Sequence, residues 1–463
     1  MSNTTREGQV ARRGQEKKDD GASWWTIGLG VAAGAAAVAG GIYALNKLEG
    51  SQKQPQAAQH APKDLQDQPS CQEHNVLTVE NIADAVSRQA VPTTPSVTDL
   101  NSFLSDVHVR YIATKKEEFV PRFYVLTNVF NKLHDSMKAV DSYYDRYFSR
   151  LILRPEEFKI YTVISVPDDH LNPEESGIVI EPKNGSFVQL RAGAQYQSIT
   201  SRDSADSCTI RSWLDDRSYI LRSKFITWFQ SVVDRALKRL ENSVRINDEV
   251  FKLTTSFNEG SYTLWITSPS GFRCDLDLVP ALRFFEERWL DSSEYRAIPP
   301  ECDVDYWLAV NRNTVGNSSE DRSWLLDMYE QEKKFIHDSV QLRQGLRLLK
   351  KLRDAQQMTH IENYHIQTLF LWKCESSDTS FWQRDVATVF KAMLQEFHEA
   401  LQERKISYFW KKSHNLVEKV PDDILEGYAA KLKKVATEIE CGDYTVAAEY
   451  LLTESENAIY KGL

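Results

Sequence analysis

A chain of 463 residues exceeds what one ordinary hydrophobic core holds, so two folded units plus non-globular sequence are expected. A composition of 41% hydrophobic and 26% charged residues, with 11 Trp and 20 Phe, supplies a core and excludes global disorder. A formal net charge of -10 excludes general electrostatic attraction to nucleic acid, so any basic groove has to be local.

Residues 1–23 form a short polar tail. From Trp24 to Asn46 the chain carries no charge and is rich in Gly and Ala. As a helix this stretch spans about 34 Å, enough for the hydrocarbon core of a bilayer. Trp24, Trp25 and Tyr43 stand at its ends, where amphipathic aromatics favour the headgroups. Residues 24–46 are therefore expected to form one transmembrane helix; a secretory signal ending near Ala39 is the competing reading. Basic residues before the span (Arg6, Arg12, Arg13, Lys17, Lys18) outnumber those after it (Lys47, Lys53, Lys63) too modestly to decide topology. The span suits the mitochondrial outer membrane or the endoplasmic reticulum, with the globular part cytosolic. Residues 47–98, polar and rich in Gln and Pro, read as a disordered linker.

Folded sequence is expected from Asp99, where Leu100, Phe103, Leu104, Val107 and Tyr111 recur at helical spacing. A second helix is expected after Pro121, in FYVLTNVFNKLHDSMKAV. A strand-rich block follows (FKIYTVISVP, GIVIEP, SFVQLRAG), then the helix SKFITWFQSVVDRALKRLE, then the strands SYTLWIT and CDLDLVPAL. From Trp324 the pattern reads as almost wholly helical. The six cysteines are widely spaced without a CxxC pair and read as reduced thiols; no Cys/His cluster has zinc-ligand spacing, so no zinc is expected.

In CDLDLVPAL, Asp275 and Asp277 alternate along a strand and project from one face, as metal ligands do. The upstream strand EEFKIY has the same alternation but carries Lys159 where a matching carboxylate would stand. PEEFKIYTVISVP, NGSFVQLRAG, CDLDLVPAL, SWLLDMYEQEKKFI, LRLLKKL, NYHIQTLFLWKC and FWQRDVATVFKAML, in this order, resemble the Mab-21 family, which includes cyclic GMP-AMP synthase and its receptor-like relatives. The resemblance runs from about residue 105 to 425.

It implies an α+β chain: a polymerase-beta-type nucleotidyltransferase core (99–300) and a C-terminal all-helical lobe (301–463), with nucleotides bound between them. Two-metal phosphoryl transfer in that family needs three converging carboxylates. Glu157 matches the first and Asp277 the third, while Lys159 replaces the second. Asp141-Ser142 stands at the phosphate-holding Gly-Ser turn, with Asp in place of the Gly that lets backbone approach phosphate. Asp141 and Lys159 are thus read as site-disrupting. No cofactor is expected; a still-active site would take magnesium or manganese on Glu157, Asp275 and Asp277. Nucleotide-binding positions carried over are Ser142, Lys350 (phosphate), Asn363 (in place of the usual Ser) and Tyr364 (base stacking).

The resemblance points to a membrane-anchored pseudoenzyme that binds a purine nucleotide or a protein partner. An active synthase of cyclic dinucleotides and a mitochondrial outer-membrane adaptor are the alternatives. The family's DNA-sensing zinc thumb has no counterpart, since only Cys374 remains there. Double-stranded RNA stays open as a ligand through KKEEFVPR and RALKRLENSVR, whose interspersed acids read more simply as solvated helix faces.

Overall fold

The computed structural model describes residues 99–113, 116–154, 158–196, 204–258, 261–291, 293–311, 321–336, 339–442 and 444–461. The tail, the expected transmembrane span, the linker and Glu157 lie outside the described residues. Among the described residues no helix is long and apolar enough to cross a membrane.

The chain opens with helix α1 (Leu100–Tyr111), started by a reciprocal capping box between Asp99 and Ser102. Helix α2 (Lys116–Val140) begins earlier than the sequence suggests and contains Pro121 in its interior. A short α3 (Ser142–Tyr147) leads into β1 (Phe148–Arg154), β2 (Lys159–Ser165), β3 (Ile178–Pro182) and β4 (Phe187–Ala192). Helices α4 (Ser204–Trp213) and α5 (Arg222–Arg239) precede β5 (Ser243–Ile246), β6 (Glu249–Asn258), β7 (Ser261–Thr267) and the long β8 (Arg273–Phe285). Two further strands, β9 (Tyr306–Val310) and β10 (Ser323–Asp327), follow.

All ten strands join one sheet, organised around β8. Leu278 pairs with Tyr262 of β7 and with Ile160 of β2, and Ala281 pairs with Val163 of β2 and Val310 of β9. One residue can pair with two strands only on opposite sides. The β7-β6-β5 ladder and the β9-β10-β4-β3 ladder therefore share one side of β8, and β2, carrying β1, runs parallel along the other. Because β9 and β10 belong to this sheet, it continues past residue 300, where the sequence reading divides the lobes. SWLLD, read as the start of the helical part, is strand β10. Its alternating Trp324 and Leu326 are buried against the strands beside it.

The sheet buries two different faces. Ile160, Ile164, Leu276, Leu278 and Leu282 join the main core with α2 and α5. Tyr161, Val163, Val279, Ala281, Tyr306, Leu308 and Val310 form a smaller cluster on the other face, with Tyr329 packed on it.

Helices α6 (Tyr329–Ile336), α7 (Val340–Ala355), α8 (Asn363–Ser376), α9 (Val386–Gln402) and α10 (Asp422–Cys441) make the C-terminal helical part, with a small hairpin, β11 (Ser407–Tyr408) and β12 (Lys411–Asn415). Two last helices, α11 (Tyr444–Leu451) and α12 (Glu454–Lys461), return to α1: Phe103 stacks on Tyr444 at 5.6 Å and meets Tyr460 edge-on at 6.2 Å. Architecture and order agree with the mixed α+β core and helical lobe expected from the sequence.

The turn between β3 and β4 ties the sheet to the hairpin. Gly185 has φ +62°, a side chain there would begin 2.2 Å from the His414 ring, and its carbonyl accepts from the Tyr295 hydroxyl at 2.9 Å. Gly185→Ala is expected to cost about 2–4 kcal/mol, the sum of left-handed backbone strain and a displaced, partly buried ring. Urea unfolding checks this, and an unchanged midpoint would show that the turn can move away freely.

Candidate nucleotide site

The two sequence-predicted strands meet as expected in kind. Lys159 and Asp277 are paired in the parallel β2/β8 ladder, and the amide of Asp277 donates to the Phe158 carbonyl at 3.0 Å. Phe158, immediately before the strand, has φ +49°, unusual for a bulky residue and a sharp local turn into β2. Lys159, Tyr161 and Val163 alternate onto the face of the smaller cluster, and so do Asp275, Asp277 and Val279. The Asp277 Oδ1 accepts from the Thr263 hydroxyl across β7 at 2.7 Å. Asp275 is half-buried, and burial first, then the neighbouring Asp277, raises its carboxyl above the ordinary range. Burial likewise pushes the adjacent Cys274 thiol up to about 12 and keeps it unreactive.

Two divalent ions need at least three oxygen-donor side chains placed to bridge them. The described residues bring two Asp and a Lys to this face, and among them no group of three acidic, His or Cys side chains could hold a metal. The residues described here do not fit a two-metal centre.

The Asp141-Ser142 turn has a different geometry from the one a phosphate would need. Asp141 is the N-cap of α3: one carboxylate oxygen accepts from the Tyr144 amide at 2.9 Å and the other pairs with Arg235 at 2.6 Å. Arg235 also donates to the Val140 carbonyl at 2.5 Å. A helix start normally offers its amides to an anion, and here the protein's own carboxylate takes one of them. The Asp141 charge itself is paired with Arg235, so the obstacle to phosphate is the occupied amide together with the missing Gly. Ser142 itself is exposed. Arg235 also belongs to RALKRLENSVR; its neighbours Lys238 and Arg239 are exposed on α5.

In the helical part, Lys350 lines a pocket of about 60 Å³ with Tyr329, Lys333, Arg343, Arg347 and Gln367. Arg343, Arg347 and Lys350 are spaced i, i+4, i+7 and so share one face of α7. The pocket admits a phosphate-sized group, whereas whole-ligand sites run to roughly 300–1,000 Å³. Tyr364 and Gln367 stand one turn apart on α8, and both reach Glu332 of α6: the Tyr364 hydroxyl donates to Oε1 at 2.7 Å and the Gln367 amide to Oε2 at 2.8 Å. The Trp410 indole donates to the same Oε1 at 2.9 Å. Burial moves the Glu332 carboxyl up to about 7. The Tyr364 phenol, raised first by burial and then by Glu332, stays protonated, and the residue as a whole is only partly buried. Asn363, the first residue of α8, is exposed.

Arg154 and Asp327 join the two regions. The guanidinium donates to both Asp327 oxygens at 2.6 and 2.7 Å and lies 4.0 Å from the ring centroids of both Tyr161 and Tyr329. Tyr329 in turn lines the basic pocket, so the face carrying Lys159 and Asp277 runs on into it.

Sequence reasoning named Lys159, Asp277, Lys350 and Tyr364; the structure sets Glu332, Gln367, Trp410 and the Arg154–Asp327 pair, which it did not name, beside them. The Arg343/Arg347/Lys350 stripe was legible as helical spacing. Glu332 was not, because EQEKK reads as a solvated helix face until Trp410, far along the chain, covers it.

Two family models match in chain order: the Mab-21 protein nucleotidyltransferase domain over residues 143–338 and the Mab-21 protein HhH/H2TH-like domain over 341–434. A cyclic GMP-AMP synthase-like receptor of Aethina tumida is 24% identical over 376 residues, 77% of this chain and 92% of the relative. Proteins of the same description from Tribolium castaneum and Ctenocephalides felis are 24% and 27% identical over 78% and 66% of this chain, covering 94% and 74% of theirs. Matched in both halves and in the right order, the chain belongs to the Mab-21 family.

Proposed function

We propose that this protein is a membrane-tethered Mab-21 protein with a polymerase-beta-type core that binds a purine nucleotide by its phosphates and does not turn it over. The observation that carries the reading is the pairing of Lys159 with Asp277. The register sets Lys159 opposite Asp277 on the same face, a cationic residue where two-metal chemistry needs a carboxylate, and a lysine cannot leave as an ion exchanges. The Asp141 cap supports it by occupying a phosphate-facing amide. Binding draws on Lys350, Lys333, Arg343 and Arg347 for phosphate and on the ring of Tyr364, one turn before Gln367, for the base, neither of which needs a metal. Residues 24–46 supply the anchor, which alkaline extraction of membranes and imaging against mitochondrial and endoplasmic-reticulum markers test.

The full chain is expected to bind ATP or GTP equally with and without magnesium or manganese, and to release no product with double-stranded RNA or DNA present. Metal-dependent turnover abolished by Asp277→Asn would overturn the reading. That the relatives are described as cyclic GMP-AMP synthase-like receptors favours the second reading, an active synthase in which Asp275 substitutes for the missing carboxylate. In that case Asp275→Asn also abolishes turnover.

A further inference from the structure

Glu332 is 3% exposed and lies where three elements meet. Its partners are the Tyr364 hydroxyl and Gln367 amide from α8 and the Trp410 indole from the hairpin, at 2.7, 2.8 and 2.9 Å. All three are donors and none carries a charge. A carboxylate accepts from all of them, whereas a carboxylic acid brings a proton of its own into a shell made only of donors. Trp410 cannot accept it. The Tyr364 hydroxyl can turn to accept, and the Gln367 amide can flip, so gaining a proton must rearrange one of these two. Both belong to the nucleotide region: Gln367 lines the basic pocket and Tyr364 stands one turn before it.

We infer that Glu332 is a positioning residue for the pocket rim, holding Tyr364 and Gln367 as a carboxylate and releasing one of them as an acid, so that contact with a nucleotide base follows its protonation. This rests on the nucleotide-binding reading above. The other groups facing Glu332 do not compete for the role. On β10, Asp327 is matched by Arg154; on the hairpin, Tyr408 keeps its proton because burial, with Glu332 and Asp327 close by, raises it. Cys302 and Cys374 meet the α6 backbone at the Gln331 and Phe335 carbonyls, and burial holds Cys374 at about 12. Lys333, with Arg343, Arg347 and Lys350 of α7, lines the pocket beyond Gln367.

The test uses the full chain in detergent micelles with tryptophan indoles labelled with nitrogen-15, the Trp410 signal being assigned with Trp410→Phe. From pH 5.5 to 8.5 that signal is expected to titrate once, with a midpoint near 7, and to be flat in Glu332→Gln. Binding of ATP and of inorganic triphosphate is measured at pH 6 and 8. Their ratio is compared between the wild type and Glu332→Gln, because ligand ionisation is the same for both proteins and only the difference reports on Glu332. From pH 8 to pH 6 the ratio is expected to fall roughly threefold or more further in the wild type than in Glu332→Gln.

A second variant guards against misfolding of Glu332→Gln. Tyr364→Phe keeps the ring but deletes a donor that favours the charged form, so the Trp410 midpoint should rise by about one pH unit. A Trp410 signal that does not titrate, or titrates unchanged in both variants, overturns the positioning role. A normal titration with ATP and triphosphate both failing to bind overturns the nucleotide reading, and the ligand half of this inference with it.

Discussion

Asp327→Ala is expected to destabilise the folded protein by about 3–5 kcal/mol, the loss typical of stranding one partner of a buried ion pair. Both side chains of the Arg154–Asp327 pair are 11% exposed, so water cannot solvate the guanidinium once its carboxylate is gone. Asp327 also accepts from the Tyr329 amide at 3.1 Å, which fixes the first turn of α6 against the sheet. The rings of Tyr161 and Tyr329 hold the guanidinium in place by stacking and cation–π attraction, so it cannot swing out to solvent cheaply. The measurement is a double-mutant cycle by urea unfolding with Arg154→Ala. A coupling energy of about 2 kcal/mol or more is expected, because the second deletion removes the stranded charge. The exposed pair Arg404–Asp422, with side chains 44% and 66% exposed, is the control and should couple by less than about 1 kcal/mol. Simple additivity of Arg154→Ala and Asp327→Ala would show that the two do not act as a unit.

Lys159→Asp should convert the site from metal-indifferent to metal-responsive. Without metal, the new carboxylate faces Asp277 across the ladder with Asp275 nearby, and like-charge repulsion lowers stability. With manganese the three carboxylates gain a common partner. A metal that binds only the folded form adds about 2.7 kcal/mol when present at a hundred times its dissociation constant. Thermal unfolding with and without manganese reads this directly, and Asp277→Asn in the Lys159→Asp background should remove the gain. The wild type is expected to show no manganese-dependent shift. A shift of the same size in the wild type would mean that Lys159 does not exclude the ion.

What the sequence could convey follows from how local each feature is. The alternation in CDLDLVPAL and FKIYTVISVP was enough to place β8 and β2 and to assign Asp275 and Asp277 to one face. Their register was not local. That Lys159 stands opposite Asp277 depends on a pairing between segments more than a hundred residues apart. SWLLDMYEQ was read as helix because its apolar residues suit either period over so short a window, and the neighbouring strands β4 and β9 decided in favour of a strand. Asp141 was identified as a departure from Gly, yet its role as a cap became visible only with the Tyr144 amide and Arg235 in place. Gly185 carried no sign in the sequence of the His414 ring that requires it.

The first helix is bound to the helical lobe: Phe103 rests on Tyr444, and the Tyr111 hydroxyl reaches the Glu456 carbonyl at 3.4 Å. Glu456 in turn grips Lys351 of α7 at 2.6 Å, and buried His108 sits close enough to Arg347 for that cation to help depress the imidazole to about 4. Mechanically, α1 is a handle. Displacing α1 would therefore disturb the helical part itself, including α7, the helix that presents Arg343, Arg347 and Lys350.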